Sequence, residues 1–571
     1  MKFILRILIS ATFLACAVSC SGCFKSADHQ PVVTAEHEPI AVEVRNGVIF
    51  ADFGKVWFGN IRLVANKENK GTSLKIRMGE KRGADGLVDR NPPGTVRYHE
   101  FTATVTGTLT PVLPELDQRS VTAIKNGAMP FRFVEIEGWK GPLPAKALLL
   151  QSITSAHFKD IGKVQFSNWN GFDQDLNALM NLGAHTMAAT SFMGLFIDGD
   201  RERIPYESDG YINQLGWHFV AGDTNVPRAT LENLLKKPTW PTEWMTHLIF
   251  IAWEDYTYSA DLEYLRHNYN RLKDFTLVEF IEKNGLVSTK NKETAKAFVV
   301  KTKADYIEDI VDWPPGERDG HEMTTYNTVV NAFTYSGLST MAKIASELGI
   351  ESDTKYYTEL AEALKKAMSE QLINPNTGLY VDGLGATHTS AHTLFIPLAF
   401  KLVPKEHIPG TLTALKKRIQ HHNGGFPCSV YAAQYLLQAL FENGEDDAAL
   451  KLILNTTERG WMNMLKKHEA TITHEAWDPK FKENIDWNHA WGSAFLNIIP
   501  KYLIGISPTS PGWKEVFINP SRNLKGTAQV TVPTPKGVVH LSIDSKSKTI
   551  TSSSNVNFSS NMSGWKILKT Q

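Results

Sequence analysis

Residues 196–210, FIDGDRERIPYESDG, place seven charged side chains in fifteen positions: Asp198, Asp200, Glu202, Glu207 and Asp209, with Arg201 and Arg203 among them. The residues around them are apolar and aromatic, which suits a partly buried surface. Three chemistries fit such a loop. Asp198 and Asp200 open like a calcium-binding D-x-D loop, but the sixth position is Arg203 where that loop needs glycine. A solvated salt-bridge cluster is the second reading, with the arginines answering the acids. The third is catalysis: crowded carboxylates raise one another's pKa, so that one of them can stay protonated and act as a general acid. Glu202 is the natural candidate.

Glycoside hydrolysis usually takes two carboxylates. A second acidic segment, HEATITHEAWD at 468–478, offers Glu469, Glu475 and Asp478. Its histidines are six positions apart, off the shared helical face of a zinc HExxH motif. Glu475 lies between His474 and Trp477, and DWNHAWGSA follows shortly after. An acid in such surroundings is either a catalytic group or a cap or core ion pair.

The elements that must hold these acids follow from the patterning. The 571 residues allow two or three domains, with a hydrophobic fraction of 42% and equal numbers of acidic and basic residues. The absence of a basic excess argues against nucleic acid as a partner. Residues 1–23 read as a signal peptide ending in a lipobox, Ala17-Val18-Ser19-Cys20, with Cys20 the site of lipidation. The chain is thus expected to be exported, in a bacterial periplasm or at the cell surface, with a lipid anchor. Residues 24–40 read as a polar tether. Residues 41–160 alternate as short strands and suggest an N-terminal β-sandwich. Residues 161–505 carry apolar residues at helical spacing in about a dozen segments. That number fits an (α/α)6 toroid, with a straight α-solenoid as the alternative. Residues 506–571 return to strands, a small C-terminal β domain with a hairpin turn at TPKG.

The two acid motifs together resemble family 78 glycoside hydrolases, the α-L-rhamnosidases. The family signature D-E-R-L-G-W-T-G-D is similar to R-E-R-I-P-Y-E-S-D at 201–209, and its T-x-W-E-x-W-D is similar to TITHEAWD. The resemblance implies Glu202 as general acid and Glu475 as general base of an inverting enzyme releasing terminal α-L-rhamnose. It places Arg203, Tyr206, Asp209 and His489 at the substrate, and Trp244, Asp312 and Trp313 in the cleft. Asp198, four residues before Glu202, is the candidate for the acid that precedes the family's signature. Pro205, Tyr206 and Thr246 depart from the family's usual residues. No metal or organic cofactor is implied, and the partner is a rhamnose-containing glycan. Two alternatives stay open: a surface glycan-binding lipoprotein without activity, and another (α/α)6 sugar enzyme such as an unsaturated uronyl hydrolase.

Overall fold

A computed structural model describes residues 31–113, 127–553, 557–560 and 563–569. The leader, Cys20 and the first part of the tether lie outside the described residues. The N-terminal region is one antiparallel sheet of eight strands. Its spine is the 17-residue strand Val48–Val64. The first half of this strand pairs with Ala41–Arg45 and Met129–Glu137, and its far end pairs with Leu148–Ser155. The register shifts between Asp52 and Trp57, around Gly54 at φ +80°. Such a bulge bends the strand, which lets one strand serve two sets of neighbours. Ile61, Leu74, Ile76, Phe131 and Leu150 close the core on one face. Part of the expected tether is itself strand: Val32–His37 pairs along its whole length with Leu148–Ser155. It is a mostly exposed edge, held through its backbone and not through a buried face.

From α1 (Phe172–Thr190) onward the chain is helical. The helices fall into two kinds. In Thr328–Glu347 most faces are buried. In Glu351–Gln371 only a stripe through Tyr357, Ala361, Leu364 and Met368 is buried. A helix apolar on nearly all sides is internal, and one with a single stripe lies outside it. The two pack against each other as an antiparallel pair joined by a short turn at Leu348–Ile350. No helix among the described residues is long and apolar enough to cross a membrane.

The C-terminal strands form a three-stranded and a five-stranded sheet. The hairpin Thr527–Thr534 and Gly537–Asp544 turns at Pro535-Lys536. The five-stranded sheet recruits Lys163–Ser167, which precedes α1 in the chain and pairs antiparallel with Thr527–Thr534. Residues 163–167 therefore belong to the C-terminal sheet and not, as the sequence suggests, to the helical body.

Candidate active site

The acidic loop connects α1 to α2 (Glu207–Val220). It is a tight turn: Asp198 N–H donates to the Ile204 carbonyl at 2.9 Å, and Arg203 N–H to that of Gly199 at 3.1 Å. Gly199 has φ +127°, and a Cβ there would stand 2.5 Å from Asp486 Oδ2, so glycine permits the close approach of the two walls. Arg203 is left-handed, at φ +55°. The turn sorts the charges onto two sides. Asp198, Arg201 and Glu202 face a cavity of about 170 Å³, while Asp200 and Arg203 point into the body. Asp209, in the first turn of α2, also faces the cavity, where the helix N-terminus favours a negative charge.

The opposite wall is the segment 473–491. Thr473 and His489 exchange backbone and hydroxyl hydrogen bonds, and Glu475 N–H donates to the Asp486 carbonyl at 3.2 Å. This turns Glu475 and His489 inward. Both line the same cavity as Glu202, with Tyr206, Trp244 and Trp313.

Arg201 is the centre of the arrangement. Its Nη1 and Nη2 donate to the two oxygens of Glu475 at 2.9 Å each, and its Nε lies 3.4 Å from Glu202 Oε1. Lys482 Nζ is a second cation on Glu475, at 3.3 Å. Glu475 is 2% exposed and Glu202 38%, so one acid sits at the dry floor and the other near the mouth. The Tyr206 hydroxyl donates to Glu202 Oε2 at 2.9 Å. Burial, aided by the charge of Glu202, pushes the Tyr206 phenol well up, so it stays a donor at any working pH.

Asp198 is 2% exposed, and its Oδ2 accepts no hydrogen bond within the protein, with Arg201 Nη2 4.0 Å away. Burial, with Glu202, Asp486 and Asp209 nearby, holds its carboxyl well above the usual range despite His489. His489 lies between Asp209 (2.9 Å from Nε2) and Asp486 (3.3 Å from Nδ1). Its burial favours the neutral ring, but the two carboxylates overcome this and raise its pKa well above the ordinary value. Glu475, Asp486 and His489 bring ligand atoms within 4.8 Å of one another, the spacing of a metal site. The contacts in place are those of an ion-pair network: Arg201 donates to both oxygens of Glu475, and His489 lies between Asp209 and Asp486.

Two residues assigned to substrate stand elsewhere. Arg203 is 4% exposed; it donates to Asp200 Oδ1 at 2.9 and 2.6 Å and to the Ala128 carbonyl, and lies over the Phe192 ring. Asp312 is fully buried, held by the backbone N–H and hydroxyl of Ser429 and by His392 Nε2 at 2.6 Å. It accepts from the Trp313 N–H at 2.8 Å and so fixes the residue that does line the cavity. The crowding of the loop is correspondingly mixed: Asp200 is an ion-pair partner, and Glu207 is bonded to the Thr239 N–H and hydroxyl. Sequence reasoning passed over Arg201, Trp240, Lys482 and Trp491 as lining residues. Arg201 and Trp491 adjoin the acid motifs, and that adjacency was their only signal.

The N-terminal sheet reaches the site from behind. Arg97 donates to the Asp200 carboxylate, and Glu80 accepts from the Arg97 N–H at 2.7 Å. Asn488 joins both walls: its Nδ2 donates to Glu80 at 3.1 Å and its Oδ1 accepts from the Asp200 N–H at 2.7 Å. Burial pushes the Glu80 carboxyl up to about 8 from 4.5. The folded chain thus keeps a proton that the unfolded chain releases, so this group's contribution to stability falls as pH climbs from about 4.5 to about 8. The thermal midpoint is expected to drop over that range in the wild type and to drop less in Glu80→Gln. Parallel midpoint curves for the two proteins would refute the assignment.

A family model described as the bacterial alpha-L-rhamnosidase 6 hairpin glycosidase domain matches residues 165–503, more than half of the chain. The chain belongs to that family. The bacterial alpha-L-rhamnosidase concanavalin-like domain matches residues 42–158, the N-terminal sheet. An alpha-L-rhamnosidase of Alteromonas sp. (strain LOR) is 23% identical over 309 residues, which cover 52% of this chain and 32% of that protein. The chain spans about a third of the length of the curated relatives it matches. Among solved structures, the alpha-L-rhamnosidase from Dictyoglumus thermophilum superposes with a TM-score of 0.74 at 21% identity, covering 90% of this chain and 57% of that one. The Streptomyces avermitilis alpha-L-rhamnosidase complexed with L-rhamnose gives 0.71 at 18% identity, covering 91% and 48%. These likenesses establish that the sheet domain, helical body and C-terminal sheets form a rhamnosidase-type fold.

Proposed function

We propose that the chain is an inverting glycosidase that releases terminal α-L-rhamnose from oligo- or polysaccharides, with the helical body closed as an (α/α)6 ring around the cavity. The observation that carries this reading is the entry of Glu202 and Glu475, from separate segments, into one aromatic-lined cavity. Its size, about 170 Å³, is below the roughly 300–1,000 Å³ of sites for drug-sized ligands and suits a single sugar ring.

Glu202, at the mouth, protonates the glycosidic oxygen as the leaving sugar departs toward solvent. Glu475, at the floor, takes a proton from the water that attacks the opposite face of the ring. The two carboxylates are separated by the Arg201 guanidinium and not in mutual contact. This favours the spacing of about 6.5–9.5 Å in inverting pairs over the 5–5.5 Å or so of retaining ones. Asp198, whose Oδ2 accepts no hydrogen bond within the protein, and the Asp209–His489 pair supply hydrogen bonds to ring hydroxyls. Trp244, Tyr206 and Trp313 give apolar faces to the carbon skeleton. The Streptomyces relative, whose structure holds L-rhamnose, makes that sugar the first to try.

The test is hydrolysis of p-nitrophenyl α-L-rhamnoside by the chain from about residue 24 onward, followed by NMR in the first minutes. The expected first product is β-L-rhamnose. An α first product, or no turnover of any α-L-rhamnoside, would overturn the reading. The proposal extends to location, with export and a lipid anchor on Cys20. Labelling with a tagged fatty acid is expected for the full chain and lost in Cys20→Ala; equal labelling of the two would refute the anchor.

A further inference from the structure

Behind the wall that carries Glu475 lies a second cavity, of about 260 Å³, between the N-terminal sheet and the helical body. The wall has two sides. Glu475 faces the first cavity, and its chain neighbour His474 lines the second; Trp487, next to Asp486, lines the second as well. The rings of His474 and Trp487 are stacked, with centroids 4.6 Å apart and planes 5° from parallel.

The cations around this cavity are already answered. Arg82 and Arg132 both pair with Asp52, Lys81 pairs with Asp89, and Lys467 pairs with Asp478. The groups left over are different. His474 is fully buried with neither ring nitrogen bonded, and the Trp487 indole N–H, on a residue 6% exposed, has no partner. The Arg82 Nε is also unpaired. Burial keeps the His474 ring neutral, so it offers one N–H and one lone pair. Buried polar groups without partners are rare and costly, and each needs an explanation.

We propose that this interdomain cavity is a second saccharide-binding site, taking the hydroxyl groups of a neutral sugar ring on His474 and Trp487. A hydroxyl both donates and accepts, which matches a neutral imidazole with two open nitrogens and an adjacent indole N–H. An ionic ligand fits less well, because the arginines and lysines already have carboxylate partners. The cavity, at about 260 Å³ against 170 Å³ for the catalytic one, has room for one sugar ring, and side-chain adjustment at His474 and Trp487 opens their nitrogens to it. The inference stands on this cavity alone and does not need the reaction assigned to Glu202 and Glu475.

The full chain labelled with 5-fluorotryptophan has 14 tryptophans to observe by 19F NMR. The signal of Trp487 is assigned by its loss in Trp487→Phe, and that of Trp244 by Trp244→Phe. L-Rhamnose, D-galactose and D-glucose are titrated in turn. The expected result is a saturable shift of the Trp487 signal with at least one sugar, abolished in His474→Leu. Movement of Trp487 without movement of Trp244 supports the second site, and where the sugar is L-rhamnose it also counts against the rhamnosidase reading. Movement of Trp244 alone, or of neither, overturns the proposal and leaves the cavity to water. Because His474→Leu removes a buried ring, calorimetry on Trp487→Phe is the companion measurement. The heat of binding to the second site is expected to vanish there, and its persistence with unchanged affinity refutes the assignment.

Discussion

Glu475→Gln is expected to lower kcat for α-L-rhamnosides by about 10²–10⁴-fold, the range typical of a lost general base. The substitution preserves volume and leaves the Trp491 indole bond to the backbone carbonyl of residue 475 in place. What it removes is the carboxylate proposed to accept the proton of the attacking water. Azide separates this loss from a damaged fold. It is already an anion and needs no base, so it is expected to restore turnover in Glu475→Gln and to yield the β-L-rhamnosyl azide. In the proposed mechanism Glu202 still protonates the leaving oxygen in that reaction. An α-azide would mean a retaining pathway, and undiminished hydrolysis by the variant would remove Glu475 from the chemistry. Because Glu475 also answers Arg201 and Lys482, the same variant leaves the part-buried Arg201 and the buried Lys482 with one carboxylate fewer. A small loss of thermal stability is therefore expected beside the large loss of rate.

Asp200→Ala is expected to cause the largest loss of stability in the loop. Asp200 is fully buried between the guanidinium groups of Arg97, from the N-terminal sheet, and Arg203, from its own turn. Removing one member of a buried ion pair typically costs about 3–5 kcal/mol, because the remaining charge stays buried and unanswered. Here two guanidiniums are left. The chain has several domains, so the measurement is the denaturant midpoint of activity and of tryptophan fluorescence, taken separately. Both are expected to fall, and the double variant Asp200→Ala/Arg203→Met is expected to recover part of the fall by removing one stranded charge. A midpoint equal to the wild type would show that the pairs carry no net stability.

That Glu202 and Glu475 share one cavity was legible because each motif is short and contiguous. Glu202 and Asp209 belong to one loop and one helix start, and Glu475 and His489 to one wall, so spacing along the chain carries the information. Side-chain direction was not legible. Arg201 and Arg203 are two residues apart with identical chemistry, yet the left-handed backbone at Arg203 sends it into the body while Arg201 meets both acids. Asp312 and Trp313 divide in the same way, one anchoring and one lining. Glu80, Arg97 and Lys482 were invisible because their partners are remote or set by loop geometry: the Arg97–Asp200 contact spans 103 residues. The strands Val32–His37 and Lys163–Ser167 were missed for a related reason. Each is short, and each exists because of a partner far along the chain.

The pairing of Lys163–Ser167 with Thr527–Thr534 also sets a schedule for the newborn chain. The first of the two strands emerges hundreds of residues before its partner, whether from an export channel or from the ribosome, where the wait is tens of seconds at about 5–20 residues per second. During that interval the helices can collapse one after another on local contacts, but the five-stranded sheet beside them stays unformed. The molecule is finished only when its last strands arrive, so a ribosome that stops early releases a chain whose opening strand has nothing to close against.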